Sequence, residues 1–244
     1  MSKALCLIPA KGCSTRLARK NLLPLDGEPL IVSAIKKTFA ANIFDTICVS
    51  TEDEEIASIA HKVGAEVPFL RPEKLSRDPA TIVDVMLHAL DFYRRYGTEF
   101  DKVCVILPTT PFVQKEDIQQ ANKLFDSRPH MALLSVCEAE FPPFNAWLIG
   151  EEQHHSFLEP CFPDSSYRYT KSTECPQTYR SNGALLIVGC SQLEESGTYR
   201  NQPIQPFIMP RERSIDIDTQ FDYDLARFMA SSIHGEQGDK IKNG

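Results

Sequence analysis

Apolar residues fall along this chain in two alternating rhythms. Short unbroken runs at 4–8, 46–49, 103–107 and 131–136 read as strands buried on both faces, the pattern of a parallel sheet covered by helices. Between them the apolar positions recur at helical spacing. Leu30, Ala34, Ile35 and Thr38 predict a helix over 30–39. Ile56, Ile59, Ala60 and Val63 predict a second, with Thr51 and Glu54 as a capping box and Gly64 as its end. Ile82, Val85, Met86, Ala89, Leu90 and Tyr93 predict a third, and Ile118, Ala121, Asn122 and Phe125 a fourth. A short strand is expected at 67–70, and two more at 185–188 and 204–209. Phe221, Leu225, Phe228 and Ser232 outline a closing helix. Strand and helix in alternation predict an α/β fold with a mostly parallel, doubly wound sheet, whose ligand lies at the carboxyl ends of the strands.

The alternation breaks over 141–177. That stretch holds five prolines, several aromatics and no helical period. A segment of this length without regular elements is either functional or an arm for another chain. His154 and His155 stand in it, but an i, i+1 pair does not easily share one metal ion, so an exposed loop is expected. Residues 231–244 are polar and are expected to fray. One domain over 1–230, interrupted by the 141–177 insertion, accommodates the whole pattern.

Composition narrows the picture. The chain has 244 residues, with a formal net charge of −7. An acidic surface excludes a general nucleic-acid coat, so a local cationic cluster points to a small anion. No apolar run approaches the ~18 residues of a membrane span, and the start is too short for a signal-peptide core. A cytoplasmic protein is expected. Eight cysteines occur without a C-x-x-C pair. Cys6, Cys48, Cys104, Cys137 and Cys190 lie in or beside strand runs and read as small core residues of a reducing compartment.

Two stretches carry candidate chemistry. Directly after the first strand, residues 9–21 combine Lys11, Arg16, Arg19 and Lys20 with Gly12 and the small residues Ala10, Cys13, Ser14 and Thr15. Small residues let backbone N–H groups approach a polyanion, and the cations suit phosphate. Neither a Walker A loop nor a G-x-G-x-x-G fingerprint is present. The alternative is a solvated basic loop. The second stretch is 214–218, where Asp216 and Asp218 share one face of an extended segment while Ile215 and Ile217 pack inward. Two converging carboxylates call for a cation, and hard oxygen ligands suit Mg²⁺. The alternative for Asp218 is a helix cap.

These residues, together with Val49-Ser50-Thr51, Leu70-Arg71-Pro72, Asp78, Pro108-Thr109-Thr110-Pro111 and Asn182-Gly183-Ala184, resemble the acylneuraminate (CMP-sialic acid and nonulosonic acid) cytidylyltransferases. The resemblance implies a Rossmann-like nucleotidyltransferase sheet, with 141–177 as an arm that forms a homodimer and reaches the partner's sugar pocket. It implies transfer of CMP from CTP to a sugar acid, with release of pyrophosphate and Mg²⁺ as cofactor. Lys20, Asp216 and Asp218 are then the catalytic residues, and Asp216 and Asp218 the metal ligands. Ala10, Lys11, Gly12, Ser14, Arg16, Lys20, Asn21, Arg71 and Ala80 are the nucleotide site, and Leu107, Thr109, Asn145, Lys171 and Asn182 the sugar site.

The sequence departs from the family in places. Lys11 stands for an arginine, Thr15 for a lysine, and Ile82 for a serine near the cytosine. Leu107 replaces a glutamine, Asn145 falls near a pocket lysine, and Ser172 falls near an arginine for the sugar carboxylate; Lys171 or Arg168 could supply that cation. These departures imply a nine-carbon α-keto acid of legionaminic or pseudaminic type in preference to N-acetylneuraminic acid. A relative that loads Kdo, or that joins UTP or GTP to a sugar phosphate, and a non-catalytic nucleotide-binding relative remain as alternatives.

Overall fold

A computed structural model describes residues 2–152 and 155–242, with side chains set aside at 152, 155 and 233–242. The chain runs β1 (Ala4–Pro9), the two-residue strands β2 (Pro24–Leu25) and β3 (Glu28–Pro29), α1 (Leu30–Ala41), β4 (Thr46–Ser50), α2 (Glu54–Val63), α3 (Ile82–Arg95), β5 (Lys102–Ile106), α4 (Lys115–Ser127) and β6 (Ala132–Glu138). It continues with β7 (Trp147–Glu152), β8 (His155–Pro160), β9 (Tyr179–Gly189), α5 (Cys190–Ser196), β10 (Ile204–Ile208) and α6 (Gln220–Lys242).

Six strands form the central sheet in the order β10-β6-β9-β5-β1-β4. All pairs are parallel except those of β9, which runs antiparallel to both β5 and β6. The period of two along β1 explains its unbroken apolar run. Cys6 and Ile8 point to a core shared with α1, α2 and α4, while Leu5 and Leu7 point to a second core under α3 and α5. The expected core cysteines are buried, and burial pushes the thiols of Cys48, Cys104 and Cys190 up to about 12. No helix among the described residues is long and apolar enough to cross a membrane.

Several local expectations need correction. Helix α2 is capped by Asp53, whose carboxylate accepts from the N–H groups of Glu55 and Ile56; Thr51 instead accepts from the Asp53 N–H. No strand forms at 67–70, where only isolated bridges join Glu66 to Cys48 and Leu70 to Thr51. Pro68 between them has no N–H for a ladder. The strand foreseen at 185–188 extends back to Tyr179. The 141–177 insertion is not irregular throughout, since β7 and β8 pair as an antiparallel hairpin with Trp147 opposite Pro160. His154 lies outside the described residues, and His155 opens β8. Helix α6 continues to Lys242, through the stretch expected to fray. The face it buries is Tyr223, Ala226 and Ala230, whereas Phe221 and Phe228 are 75% and 67% exposed. Tyr223 fastens α6 to the β2–β3 hairpin by donating to the Pro24 carbonyl.

Candidate active site

The basic loop leaves the sheet at Pro9, between β4 and β5. Ala10 is held at its start by a 3.0 Å bond from its N–H to the Ser50 carbonyl. Asn21 is buried, and its amide donates to the Lys11 carbonyl at 2.8 Å. It therefore closes the loop, and it also lines the cavity described below. The Gly12 N–H donates to Glu52 Oε1 at 2.8 Å. A Cβ on Gly12 would collide with Asp53, so the loop lies flat against the start of α2. The Ser14 hydroxyl is buried without a partner among the described residues. A buried hydroxyl left without a partner beside Lys11, Arg16 and Lys20 is what an anion site presents before its ligand arrives.

Segment 214–218 crosses the sheet edge opposite that loop. Its Ser214 hydroxyl accepts from Asn182 Nδ2 at 2.9 Å, and its Ile217 N–H donates to the Thr109 carbonyl at 2.8 Å. Between these two fastenings Asp216 turns back toward Gly183, which has φ +73°. A Cβ on Gly183 would stand 2.9 Å from Asp216 Oδ2. Burial raises the Asp216 carboxyl above its ordinary range; Thr109 opposes this by hydrogen bonding, and Asp218 adds to it by repulsion. Asp216 Oδ1 is buried without a hydrogen-bond partner among the described residues.

Asp218 is spent differently. Its carboxylate meets Lys20 Nζ at 2.6 Å and Arg16 at 3.0 Å, and Lys20 also donates to the Ile217 carbonyl at 3.2 Å. It does not cap α6. Thr219 and Asp222 do that, with Asp222 accepting from the N–H groups of Asp218 and Thr219. Lys20 and Asp218, far apart in sequence, are therefore in contact, and Asp216 stands one alternate position away.

Lys11 and Lys20 border a cavity of about 230 Å³ at the carboxyl ends of β1 and β5; Asp216 is not among its lining residues. Its lining includes Arg71, Ser76 and Ala80 from the segment between α2 and α3, Leu107 and Thr109 from the segment after β5, and Lys11 and Lys20 of the loop. A smaller recess of about 50 Å³ shares Lys11 and Lys20 and adds Ser14, Thr15, Arg16 and Asp218. Arg71 is a buried residue and no ordinary surface arginine; its guanidinium pairs with Glu52 at 2.9 Å.

Several expected residues do not line this cavity: Ser14, Arg16 and Asp218 line the smaller recess, and Ala10, Gly12 and Asp216 line neither. Asn145 and Lys171 are exposed on the insertion. Asn182 is 1% exposed, and its amide is spent inside the protein. Its Oδ1 accepts from Ser135 at 2.6 Å, and its Nδ2 donates to Ser214. Asn182 holds the Asp216 segment to β9 and does not contact a ligand. The reading of single residues missed Glu52, Ser76 and the seat that Gly183 makes for Asp216. The signal for Glu52 was its position at the carboxyl end of a strand that neighbours β1.

Two carboxylates fit a hard divalent cation in part. Asp216 offers a free buried oxygen, while Asp218 already holds two cationic side chains. No group of three or more metal-ligating side chains exists among the described residues, so an ion here would draw its other ligands from phosphate oxygens and water, the habit of Mg²⁺.

A cleft at the carboxyl ends of a mostly parallel sheet, bordered by a cationic loop whose Lys20 is paired with Asp218, defines a nucleotide-handling transferase of Rossmann-like fold. Comparison with known proteins makes this specific. The family described as cytidylyltransferase matches residues 5–136. Pseudaminic acid cytidylyltransferase of Campylobacter jejuni is 32% identical over 95% of this chain and 98% of its own length. CMP-N,N'-diacetyllegionaminic acid synthase of Legionella pneumophila is 29% identical over 91% of this chain and 94% of its own. N-acylneuraminate cytidylyltransferase of Escherichia coli is 29% identical over 99% of this chain, which spans 55% of that longer protein. The chain belongs to the cytidylyltransferase family, and it is a nucleotidyltransferase of the acylneuraminate cytidylyltransferase type. A solved CMP:2-keto-3-deoxy-manno-octonic acid synthetase, complexed with CTP, shares the fold with a TM-score of 0.68 at 15% identity, covering 95% of this chain.

Proposed function

We propose that this protein transfers CMP from CTP to the anomeric hydroxyl of a nine-carbon α-keto sugar acid of pseudaminic or legionaminic type. The observation that carries the substrate reading is Leu107, an apolar side chain in the cavity wall. An apolar wall suits a deoxy sugar carrying a methyl group. It rejects an added hydroxyl only weakly, so some turnover of N-acetylneuraminic acid is expected. The relatives that name pseudaminic and legionaminic acids support the same class.

In this reading the cytosine lies between Arg71 and Ala80, and the phosphates lie over Lys20, Arg16 and the loop. The sugar hydroxyl oxygen bonds to the α-phosphorus in line, the bond from that phosphorus to the bridging oxygen breaks, and pyrophosphate leaves with the electron pair. The hydroxyl proton passes to solvent. Lys20 stabilises charge gathering on the phosphates, and Ser14 is placed to donate to one of their oxygens. Asp216 and Asp218 would hold Mg²⁺, which supplies positive charge to the phosphate oxygens and acidity to the hydroxyl. The work of the protein is positioning and charge stabilisation, without a dedicated general base.

The insertion supports a homodimer. Trp147, Leu148, Ile149, Phe157 and Leu158 of its hairpin are all exposed, and an apolar surface of that kind suits a partner chain. Asn145, Lys171 and Arg168 would then serve the partner's sugar pocket. Light scattering at micromolar concentration should give a dimer; a fully active monomer overturns this assignment. An enzyme fed by CTP works in the cytoplasm. The deciding assay compares kcat/KM for pseudaminic, legionaminic and N-acetylneuraminic acids by pyrophosphate release. A clear preference for N-acetylneuraminic acid refutes the reading of Leu107.

A further inference from the structure

Glu52 joins two parts of the cleft that have separate tasks. Its Oε1 accepts from the loop, at 2.8 Å from the Gly12 N–H and 3.3 Å from the Cys13 N–H. Its Oε2 accepts from the opposite wall, at 2.9 Å from Arg71 and 2.9 Å from the Ser76 hydroxyl. Arg71 Nε donates back to that hydroxyl at 2.9 Å, and Cys13 Sγ lies 3.7 Å from the Ser76 carbonyl. Both loop and wall border the cavity where the nucleotide is placed. The Arg71 side chain is 3% exposed, so its charge tolerates burial only beside a counter-ion. Burial works against ionising Glu52, but hydrogen bonds from Arg71, its own backbone and Ser76 outweigh it and hold the carboxyl down at about 2.

We infer that Glu52 is a positioning residue that locks the phosphate loop and the base-binding wall into one rigid piece, so that base and phosphates are held in register. Backbone N–H groups of such loops usually await the ligand's phosphate. Here two of them are already committed to a side chain that also carries the base wall. The loop therefore keeps its shape before the nucleotide arrives, and the ordering cost of binding falls. The remaining donors of the loop and its lysines are left to the phosphates. The inference rests on the nucleotide reading above.

The substitution Glu52→Gln tests it. All four partners of this carboxylate present donors to it, so in the variant an amide NH₂ opposes one end of the link and an uncharged oxygen accepts more weakly at the other. Wild type and variant are titrated calorimetrically with cytidine, which has no phosphate, with pyrophosphate, which has no base, and with CTP. The variant should bind cytidine and pyrophosphate each about tenfold more weakly, the size of one lost charge-assisted hydrogen bond at each end. KM for CTP should rise at least about tenfold while kcat at saturation stays within about twofold. Weakening of only one of the two fragments overturns the coupling. Tighter CTP binding overturns it too, because it would mean that the nucleotide displaces Glu52. Wild type that fails to bind CTP removes the nucleotide reading itself, whatever the variant does. Should Glu52→Gln not fold, Glu52→Asp keeps the charge and withdraws it by one methylene; it should weaken both fragments in the same sense, and loss for only one refutes the coupling.

Discussion

Replacing Gly183 by alanine separates a backbone cost from a catalytic one. Gly183 has φ +73°, and an L-residue there costs about 1–2 kcal/mol. For a chain of this size each kcal/mol lowers Tm by about 2–4 °C, so the variant should melt about 2–8 °C lower. The added methyl would also stand 2.9 Å from Asp216 Oδ2 and 3.5 Å from Leu107 Cδ1. The segment is fastened at Ser214 and Ile217, so the carboxylate itself must give way. A displacement near 1 Å at such a group costs about a hundredfold in rate. Gly197 supplies the control. It ends α5 at φ +64°, and a Cβ there meets nothing within 4 Å. Gly197→Ala should lower Tm by a similar amount and leave kcat unchanged. The assay is pyrophosphate release at saturating substrates, paired with calorimetric melting. If Gly183→Ala keeps a kcat within about twofold of Gly197→Ala, Asp216 is not the group whose position matters.

Asp216→Asn should lower kcat by about a hundredfold or more, since it removes charge with little change of shape. Because burial raises this carboxyl above 3.8, its contribution to stability is fully present below that unfolded value and is lost as pH rises through the folded one. The substitution should therefore raise Tm at pH 7 without added metal and leave it unchanged at pH 3; a lower Tm at pH 7 refutes the buried-charge argument. Lys20→Ala should cost about 2–4 kcal/mol in kcat/KM for CTP, and Lys11→Ala clearly less, because Lys20 is half-buried against Asp218 while Lys11 is exposed and makes no ion pair among the described residues. Equal losses in the two variants contradict this placement.

The strands that were legible in the sequence are those with both faces in the core. In β1, β4 and β5 nearly every position is buried, and in β6 no position before Glu138 is exposed, so the runs are unbroken. The β7–β8 hairpin had no such signal. Trp147, Leu148 and Ile149 are all exposed, so no alternation of faces marks a strand. The closing helix had the right period but the wrong face. Phe221 and Phe228 point outward, and it docks through Tyr223, Ala226 and Ala230, the alanines allowing close approach. The meeting of Lys20 with Asp218 followed from family resemblance and not from pattern, since no local rule connects positions so distant. Asn182 was placed in the right region with the wrong task. A polar residue beside a site reads as a ligand until its partners are seen, and here they are Ser135 and Ser214. Glu52 was passed over because an acidic residue ahead of a helix reads as a solvated first turn.

The insertion leaves the sheet and returns to it at a single point. Glu138 at the end of β6 is paired with Tyr179 at the start of β9, and the Ala139 N–H bonds the Thr178 carbonyl next to them at 2.9 Å. The excursion thus hangs from a hydrogen-bonded stem, and closing a longer or shorter loop on such a stem changes the free energy only slowly with length. A longer, shorter or rewritten excursion would therefore cost the rest of the fold little. The central pairing of β1 with β4 and β5, which carries the cleft, takes no part in that stem and is indifferent to what hangs from it.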